Sequence, residues 1–380
     1  QYPTICKPVH SVSLHYTLSH RDDNDTPSSE AVLLRHPLMD LLQAVAQKGS
    51  ISAAARELSL SYRHVWGELK RWEDVLGHEL IVWEKGQSAK LTEFGDKLMW
   101  AERQTQARLA PQLEALRADL ERTFAVAFDP QAHVLTLYAS HDDALPRLRE
   151  QAASAGLHLD IRFCGSVDAI RALNEGRCTL AGFHTQTRPA ASSHTAEAYR
   201  DLLKPGLHKV IGFATRAQGL IVAPGNPLQL KNLPDAARTR ARFVQRSLGT
   251  GTRVLLDDLL AQDKLALADL NNLPGDEPSH VALAEAIASG RCDVGLGIES
   301  TAKSKGLGFV PLMQEHFHLV CLKSALDSPA TVALREVLQS AEWHNALNAW
   351  AGYQTDHSGE VQSLSALLPW WTFKRAKKGG

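Results

Sequence analysis

Apolar residues recur at helical spacing through the first third of the chain and in shorter, strand-like runs through the rest. Val65, Leu69, Trp72 and Leu76 fall at i, i+4, i+7 and i+11, so one face of a helix turns inward while Tyr62, Arg63, Gly67, Lys70 and Arg71 point elsewhere. Before it, the run Ala53 to Leu58 predicts a short helix capped by Ser52, whose alanines let a neighbour approach closely. Ser59 and Leu60 make the turn, and Ser61 caps the following helix. Another helix is expected over Pro37 to Gln47. Beyond Gly77, Glu79 to Trp83 alternates as a strand does, Lys85 to Ser88 reads as a turn, and Ala89 to Leu91 returns as a second strand. From Thr92 to about Thr123 a long helical pattern carries Leu98, Ala101, Leu109, Leu113, Leu116 and Leu120 as an apolar stripe.

After Asp129 short β-rich runs alternate with helices. Strands are expected at His133 to Ala139, His158 to Phe163, Thr179 to Phe183, Lys209 to Ala214, Gly219 to Val222, Arg242 to Val244, Val294 to Leu296, Leu307 to Pro311 and His316 to Leu322. Helices are expected at Ala144 to Ala155, Val167 to Glu175, Arg253 to Gln262, Val281 to Ser289, Ala330 to Gln339 and Ala341 to Trp350. This is an α/β pattern with mostly parallel strands. A crossover near Gly219 and a return near His318 suggest two lobes around a cleft, about 130–218 plus 318–380 and 219–317.

Two helices, a tight turn and a two-stranded wing form a DNA-reading arrangement, in which the N-terminal residues of the second helix meet base edges. The candidates are Ser52, Ser61, Tyr62, Arg63, His64, Lys70 and Arg71, with Lys85 on the wing. Charge gives limited help: 41 Lys and Arg stand against 42 Asp and Glu, a formal net charge of −1. Without a global basic field, affinity must come from local placement, with Glu68, Glu73, Asp74 and Glu84 expected to face away, and from pairing of two copies.

Open α/β sheets bind ligands beyond the carboxyl ends of their strands, where loops enter helix N-termini. Here those junctions are polar: Ser140-His141-Asp142, Gly165-Ser166, His184, and the loop Arg246-Ser247-Leu248-Gly249-Thr250-Gly251-Thr252-Arg253. Glycine amides, hydroxyls and helix N-termini together suit an oxygen-rich anion. The candidate ligand residues are Ser140, His141, Ser166, His184, Arg246, Ser247, Gly249, Thr250, Gly251, Thr252, Arg253 and His280. The glycine loop lacks the Gly-Lys-Ser/Thr ending of a P-loop, so ATP hydrolysis is not indicated. Ser140, His141 and Asp142 are adjacent on one loop, which seldom lets such residues converge as a hydrolytic set, and no Gly-x-Ser-x-Gly elbow occurs. A non-enzyme is expected, with no metal ligated directly by protein.

Gly-Ser-Ile-Ser (49–52), Ser-Tyr-Arg-His-Val-Trp (61–66) and Leu-Thr-Glu-Phe-Gly (91–95) resemble the N-terminal domains of LysR-type and, more closely, ModE-type molybdate-responsive regulators. The phrases 139–142, 180–184, 218–227, 242–256 and 288–298 look like the periplasmic-binding-protein-like domain described as molybdate-binding. The resemblance implies a winged helix-turn-helix (34–91), a linker helix that pairs with its twin in a homodimer (92–125), and a type 2 binding-protein-like effector domain (126–380). It implies a regulator of molybdenum uptake or molybdoenzyme genes, with double-stranded DNA as partner and molybdate, tungstate or a molybdenum-cofactor species as effector. The paired small oxyanion-binding domains of typical ModE regulators are absent, so their ligand residues do not transfer. A LysR-like regulator sensing another small anion or organic acid, a transporter's solute-binding protein and an enzyme are the alternatives.

The five cysteines are widely spaced without a Cys-x-x-Cys pair, which reads as small buried hydrophobes rather than a disulfide framework or zinc site. No apolar run approaches a membrane span and no secretory leader opens the sequence, so a cytoplasmic protein is expected. Residues 1–33, with the charged and Ser/Pro-rich tract Ser19 to Glu30, read as an N-terminal extension.

Overall fold

The computed structural model describes residues 36–82, 88–128 and 133–371, with some side chains between 110 and 128 left out. The N-terminal extension and the wing tip with Glu84 and Lys85 lie outside the described residues. The chain divides between Glu102 and Arg103 into two compact units.

In the first unit, α1 (Pro37–Lys48) ends at Gly49, whose φ of +61° closes the helix in the left-handed region open to glycine. Helix α2 (Ile51–Glu57) is capped by Ser50, whose Oγ accepts from Ala53 N at 3.4 Å. Ser52, expected as that cap, instead lies exposed in the first turn: Ile51 is buried, so the helix must begin early enough to carry it inward. Ser61 caps α3 (Tyr62–Leu76) as expected, accepting from His64 N at 3.1 Å. Val65 and Leu69 are fully buried in a cluster with Leu42, Val45, Ala54 and Leu80. Strands β1 (Ile81–Val82) and β2 (Lys90–Leu91) pair antiparallel as the base of a wing. Helix α4 (Glu93–Phe128) begins in this unit and continues into the next.

Glu73 departs from expectation. It is buried, and its Oε1 accepts from Leu80 N at 2.9 Å and Ile81 N at 3.4 Å while Oε2 meets Lys70 Nζ at 2.6 Å. It ties α3 to the first wing strand. Burial alone would raise its pKa, but the Lys70 ammonium and the two amides outweigh it and hold the carboxyl below its ordinary range.

The second unit is built on one mixed sheet, formed by β3 (His133–Ala139), β4 (Leu157–Phe163), β5 (Leu180–Gln186), β6 (His208–Val222), β7 (Arg242–Arg246), β8 (Asn271–Glu277), β9 (Val294–Ile298), β10 (Gly308–Leu322), β11 (Tyr353–Gln354) and β12 (Val361–Gln362). The main path runs β4-β3-β5-β10-β6-β9-β7-β8, with β11 and β12 paired to β6. The outer pairs β3–β4, β3–β5, β7–β8 and β7–β9 are parallel; the central pairs β5–β10, β10–β6 and β6–β9 are antiparallel. Covering helices are α5 (Ala144–Ser154), α6 (Ser166–Asn174), α7 (His194–Tyr199), α8 (Leu233–Arg238), α9 (Gly251–Gln262), α10 (His280–Ala288), α11 (Glu299–Ser304), α12 (Pro329–Gln339), α13 (Ala341–Asn348) and α14 (Leu364–Leu367).

The two lobes share β6 and β10. Where two shorter strands were expected in each region, a single 15-residue strand runs from one lobe into the other. Thr215, Arg216 and Gln218 interrupt the apolar pattern of β6, yet the ladder continues because their polar side chains find partners inside. Strand β8 carries Pro274 and Gly275, which hid it from a pattern reading; it lies at the sheet edge, where a missing N–H is tolerated. Separate apolar clusters lie in the lobes, around Leu135, Leu137 and Trp343 in the first and around Leu220, Phe243 and Leu296 in the second. No helix of the described residues is long and apolar enough to cross a membrane.

Candidate functional site

On the first unit, Ser61, Tyr62, Arg63 and His64 stand exposed at the N-terminal end of α3. The Tyr62 ring stacks on Trp66 with centroids 6.4 Å apart, and Lys70 Nζ lies 5.0 Å from the Trp66 ring. Two expected DNA contacts are tied along the helix: Lys70 to Glu73, and Arg71 Nη2 to Glu68 Oε2 at 2.6 Å. Arg63 and His64 thus lead the exposed face, with Arg71 held against Glu68 and the Trp72 ring.

In the second unit, strand ends and helix N-termini converge between the lobes. From the first lobe, Ser140 Oγ lies 3.4 Å from Ser166 Oγ, which lies 3.3 Å from His184 Nδ1. From the second, Thr252 Oγ1 is 3.4 Å from His280 Nε2. The sets meet through glycine: a Cβ on Gly251 would stand 2.7 Å from the His184 ring, and one on Gly165 would stand 2.7 Å from the Gly249 carbonyl. That carbonyl also accepts from Val167 N at 3.4 Å, so the glycine loop of one lobe touches the helix start of the other. Gly249 itself takes φ of +79°.

Arg246 occupies this junction at 2 % exposure. One of its nitrogens, Nη2, donates to the Pro278 carbonyl at 3.0 Å; Nε and Nη1 are buried without a partner. His184 Nε2 and His280 Nδ1 are likewise buried and unpartnered. Burial, reinforced by the Arg216 charge, lowers Arg246 to about 10. Burial holds His184 and His280 well below the ordinary imidazole range, with Arg216 and Arg246 adding to the effect, so both rings are neutral at pH 7. A buried cation with free donors, flanked by the N-termini of α6, α9 and α10, is a place where an anion replaces lost hydration.

Other expected residues are committed elsewhere. Thr250 caps α9, accepting from Arg253 N at 3.3 Å and donating to the Ser247 carbonyl at 2.8 Å. Arg253 donates to Gln245 Oε1 at 2.6 Å and faces Asp257. Ser247 Oγ reaches the Glu277 carbonyl at 3.5 Å, and the half-buried His141 packs on Phe163 with centroids 4.8 Å apart.

Sequence reasoning missed a second layer. Arg216 donates to Glu315 Oε2 at 2.7 Å and pairs with Asp142, which also accepts from Tyr353 OH at 2.8 Å. Gln218 Nε2 donates to Glu315 Oε2 at 2.7 Å and to Thr252 Oγ1 at 3.3 Å. The available signal was Arg216 and Gln218 at i and i+2 between apolar runs, a period that points both to one face. A further contact links α4: Arg108 grips Glu277 with Nε and Nη2 at 3.2 and 3.0 Å, and Ser279 Oγ donates to the Ala107 carbonyl at 3.3 Å. Among the described residues no group of His, Cys, Asp or Glu is placed to hold a metal ion.

Residues 148–339 match the profile described as PBP superfamily domain, half of the chain, and residues 37–96 match that described as bacterial regulatory helix-turn-helix protein, lysR family. The uncharacterized protein YvgK of Bacillus subtilis is 26% identical over 234 residues, 61% of this chain and 75% of that protein. The molybdenum-pterin-binding protein MopB of Rhodobacter capsulatus is 34% identical over 84 residues, 21% of this chain and 31% of that protein. The crystal structure of full-length BenM superposes with a TM-score of 0.41 at 16% identity, covering 79% of this chain and 94% of that one. The chain therefore belongs to the PBP superfamily and carries a helix-turn-helix that matches the lysR family ahead of that domain.

Proposed function

We propose that this chain is a regulator that binds operator DNA through the N-terminal end of α3 and senses a small anion in the cleft of its α/β domain, the anion being molybdate, tungstate or a molybdenum-cofactor species. The observation that carries the anion is Arg246, buried with two unpartnered nitrogens, Nε and Nη1, beside the unpartnered His184 and His280 nitrogens. The molybdenum assignment draws on the likeness to the molybdenum-pterin-binding protein and on the sequence phrases of the effector domain. Controlled genes would then be those of molybdenum uptake or molybdoenzymes. Dimerisation through α4 is part of the reading, because Leu116 and Leu120 of its stripe are 58% and 42% exposed. Occupancy reaches DNA through α4, whose Arg108 and Ala107 hold the Glu277–Ser279 segment next to Arg246 and His280.

The test is calorimetric titration of the full chain with molybdate, tungstate and molybdenum cofactor, against sulfate and benzoate as other anions, with Arg246→Met as control. Binding of a molybdenum or tungsten species that is lost in Arg246→Met supports the proposal. Binding of sulfate or benzoate alone replaces the molybdenum effector with another anion, and no binding at all refutes the cleft as a sensor.

A further inference from the structure

The polar atoms left over in the cleft are of both kinds. Arg246 offers donors; Glu315 and Gln218 offer acceptors. Both of these side chains are fully buried, and Glu315 Oε1 and Gln218 Oε1 accept no hydrogen bond. The Gln218 amide cannot be turned to hide its oxygen, because Nε2 sits 2.7 Å from Glu315 Oε2 and exchanging the two atoms would oppose oxygen to oxygen. Gln218 reaches Thr252 and Thr252 reaches His280, so these acceptors belong to the same cluster as the anion donors.

A carboxylate oxygen accepts and never donates, so whatever lies against Glu315 Oε1 must bring a hydrogen. Sulfate and molybdate dianions bring none: their oxygens would satisfy Arg246 and confront Glu315 and Gln218 with acceptor against acceptor, leaving buried groups unmet. We infer that the effector carries its own N–H or O–H donor alongside its negative charge. This rests on the reading of the cleft as an anion site and narrows it: a bare oxyanion is the wrong ligand. The chemistry has two sources, a protonated oxyanion such as hydrogen phosphate, or an organic anion with ring N–H groups, as a pterin has.

Calorimetry on the full chain at pH 8 compares sulfate and molybdate, which lack a donor, with hydrogen phosphate and pterin-6-carboxylate, which have one. A donor-bearing probe is expected to bind at least tenfold tighter than either bare dianion, and whether phosphate or the pterin does so identifies the source. Glu315→Gln, which presents an N–H in place of the carboxylate oxygen, is expected to shrink that preference to under threefold; Gln218→Met serves the same purpose should loss of the Arg216 partner prevent folding. Sulfate or molybdate binding as tightly as the donor-bearing probes overturns the inference while the anion site stands. Failure of all four probes to bind removes both.

Discussion

Arg216 and Glu315 sit directly opposite each other on the two strands that pass between the lobes, Nε to Oε2 at 2.7 Å, each essentially without exposed surface. The guanidinium also serves Asp142, so two buried carboxylates share one cation. Replacing it by Met leaves both buried charges without a counter-ion, which costs about 3–5 kcal/mol of unfolding free energy in such settings. Chemical denaturation of Arg216→Met should show a loss in that range. Arg216→Met with Glu315→Leu should recover only part of it, since Asp142 remains; a single-variant loss below about 1 kcal/mol would contradict the network's role.

On the proposed DNA face, Arg63 is exposed at the start of α3 while Arg71 is held by Glu68 and lies over the Trp72 ring, 4.8 Å from its centroid. A base-reading arginine contributes about 1–3 kcal/mol and sequence preference. Arg63→Ala should weaken binding to a duplex selected from a random pool by that amount and relax its sequence preference, measured by fluorescence anisotropy. Arg71→Ala should weaken binding less and equally for all duplexes. The reverse order would move the reading face along the helix.

The buried imidazoles set a pH limit. His318 is pushed down to about 3 by burial, with His316 adding repulsion, and His184 and His280 also stay neutral in the fold. An unfolded chain protonates histidine near pH 6.5, so below that value it takes up protons the folded state refuses. These groups therefore leave stability unaffected above about pH 6.5 and erode it as pH falls toward 3, each by up to about 1.4 kcal/mol per pH unit. His318→Asn should reduce the drop in melting temperature between pH 7 and pH 5. An undiminished drop would mean that His318 titrates normally in the fold.

Arg108 lies half exposed on α4 and grips the buried Glu277, one residue before the carbonyl that holds Arg246. Arg291 also pairs with Glu277, so Arg108→Ala should not strand that carboxylate. Effector affinity should change less than threefold in this variant, whereas the effector's influence on DNA affinity should shrink at least fivefold, as a coupling defect requires. Equal losses in both measurements would mark Arg108 as a mere support of the cleft.

Much of this was legible in the chain. The period of Val65, Leu69, Trp72 and Leu76 and the cap at Ser61 give α3, and the polar strand ends give Ser140, Ser166, His184, Arg246, Thr252 and His280 as a group. Ser52 was misplaced because capping is decided by which residue leads the buried Ile51 inward, and Ser50 serves equally by type. Thr250 and Arg253 have the right chemistry for an anion, but the cap of α9 claims Thr250 and the Gln245 side chain on β7 claims Arg253. Arg216, Gln218 and Glu315 escaped because their partners lie about a hundred positions apart, on strands whose continuity no local pattern reveals.

Because β6 and β10 run unbroken through both lobes, the joint between them is a hydrogen-bonded ribbon, interrupted in register at Pro311/Met313 and at Phe317/His318. A ribbon of this kind behaves as a torsion spring: turning one lobe against the other twists every rung a little, and the two irregular rungs yield first. The carboxylate of Glu315 lies between those two soft points. Under the proposed sensing, a ligand that pulls on it would act at the place where the spring is easiest to wind, and small contacts there would turn one lobe against the other.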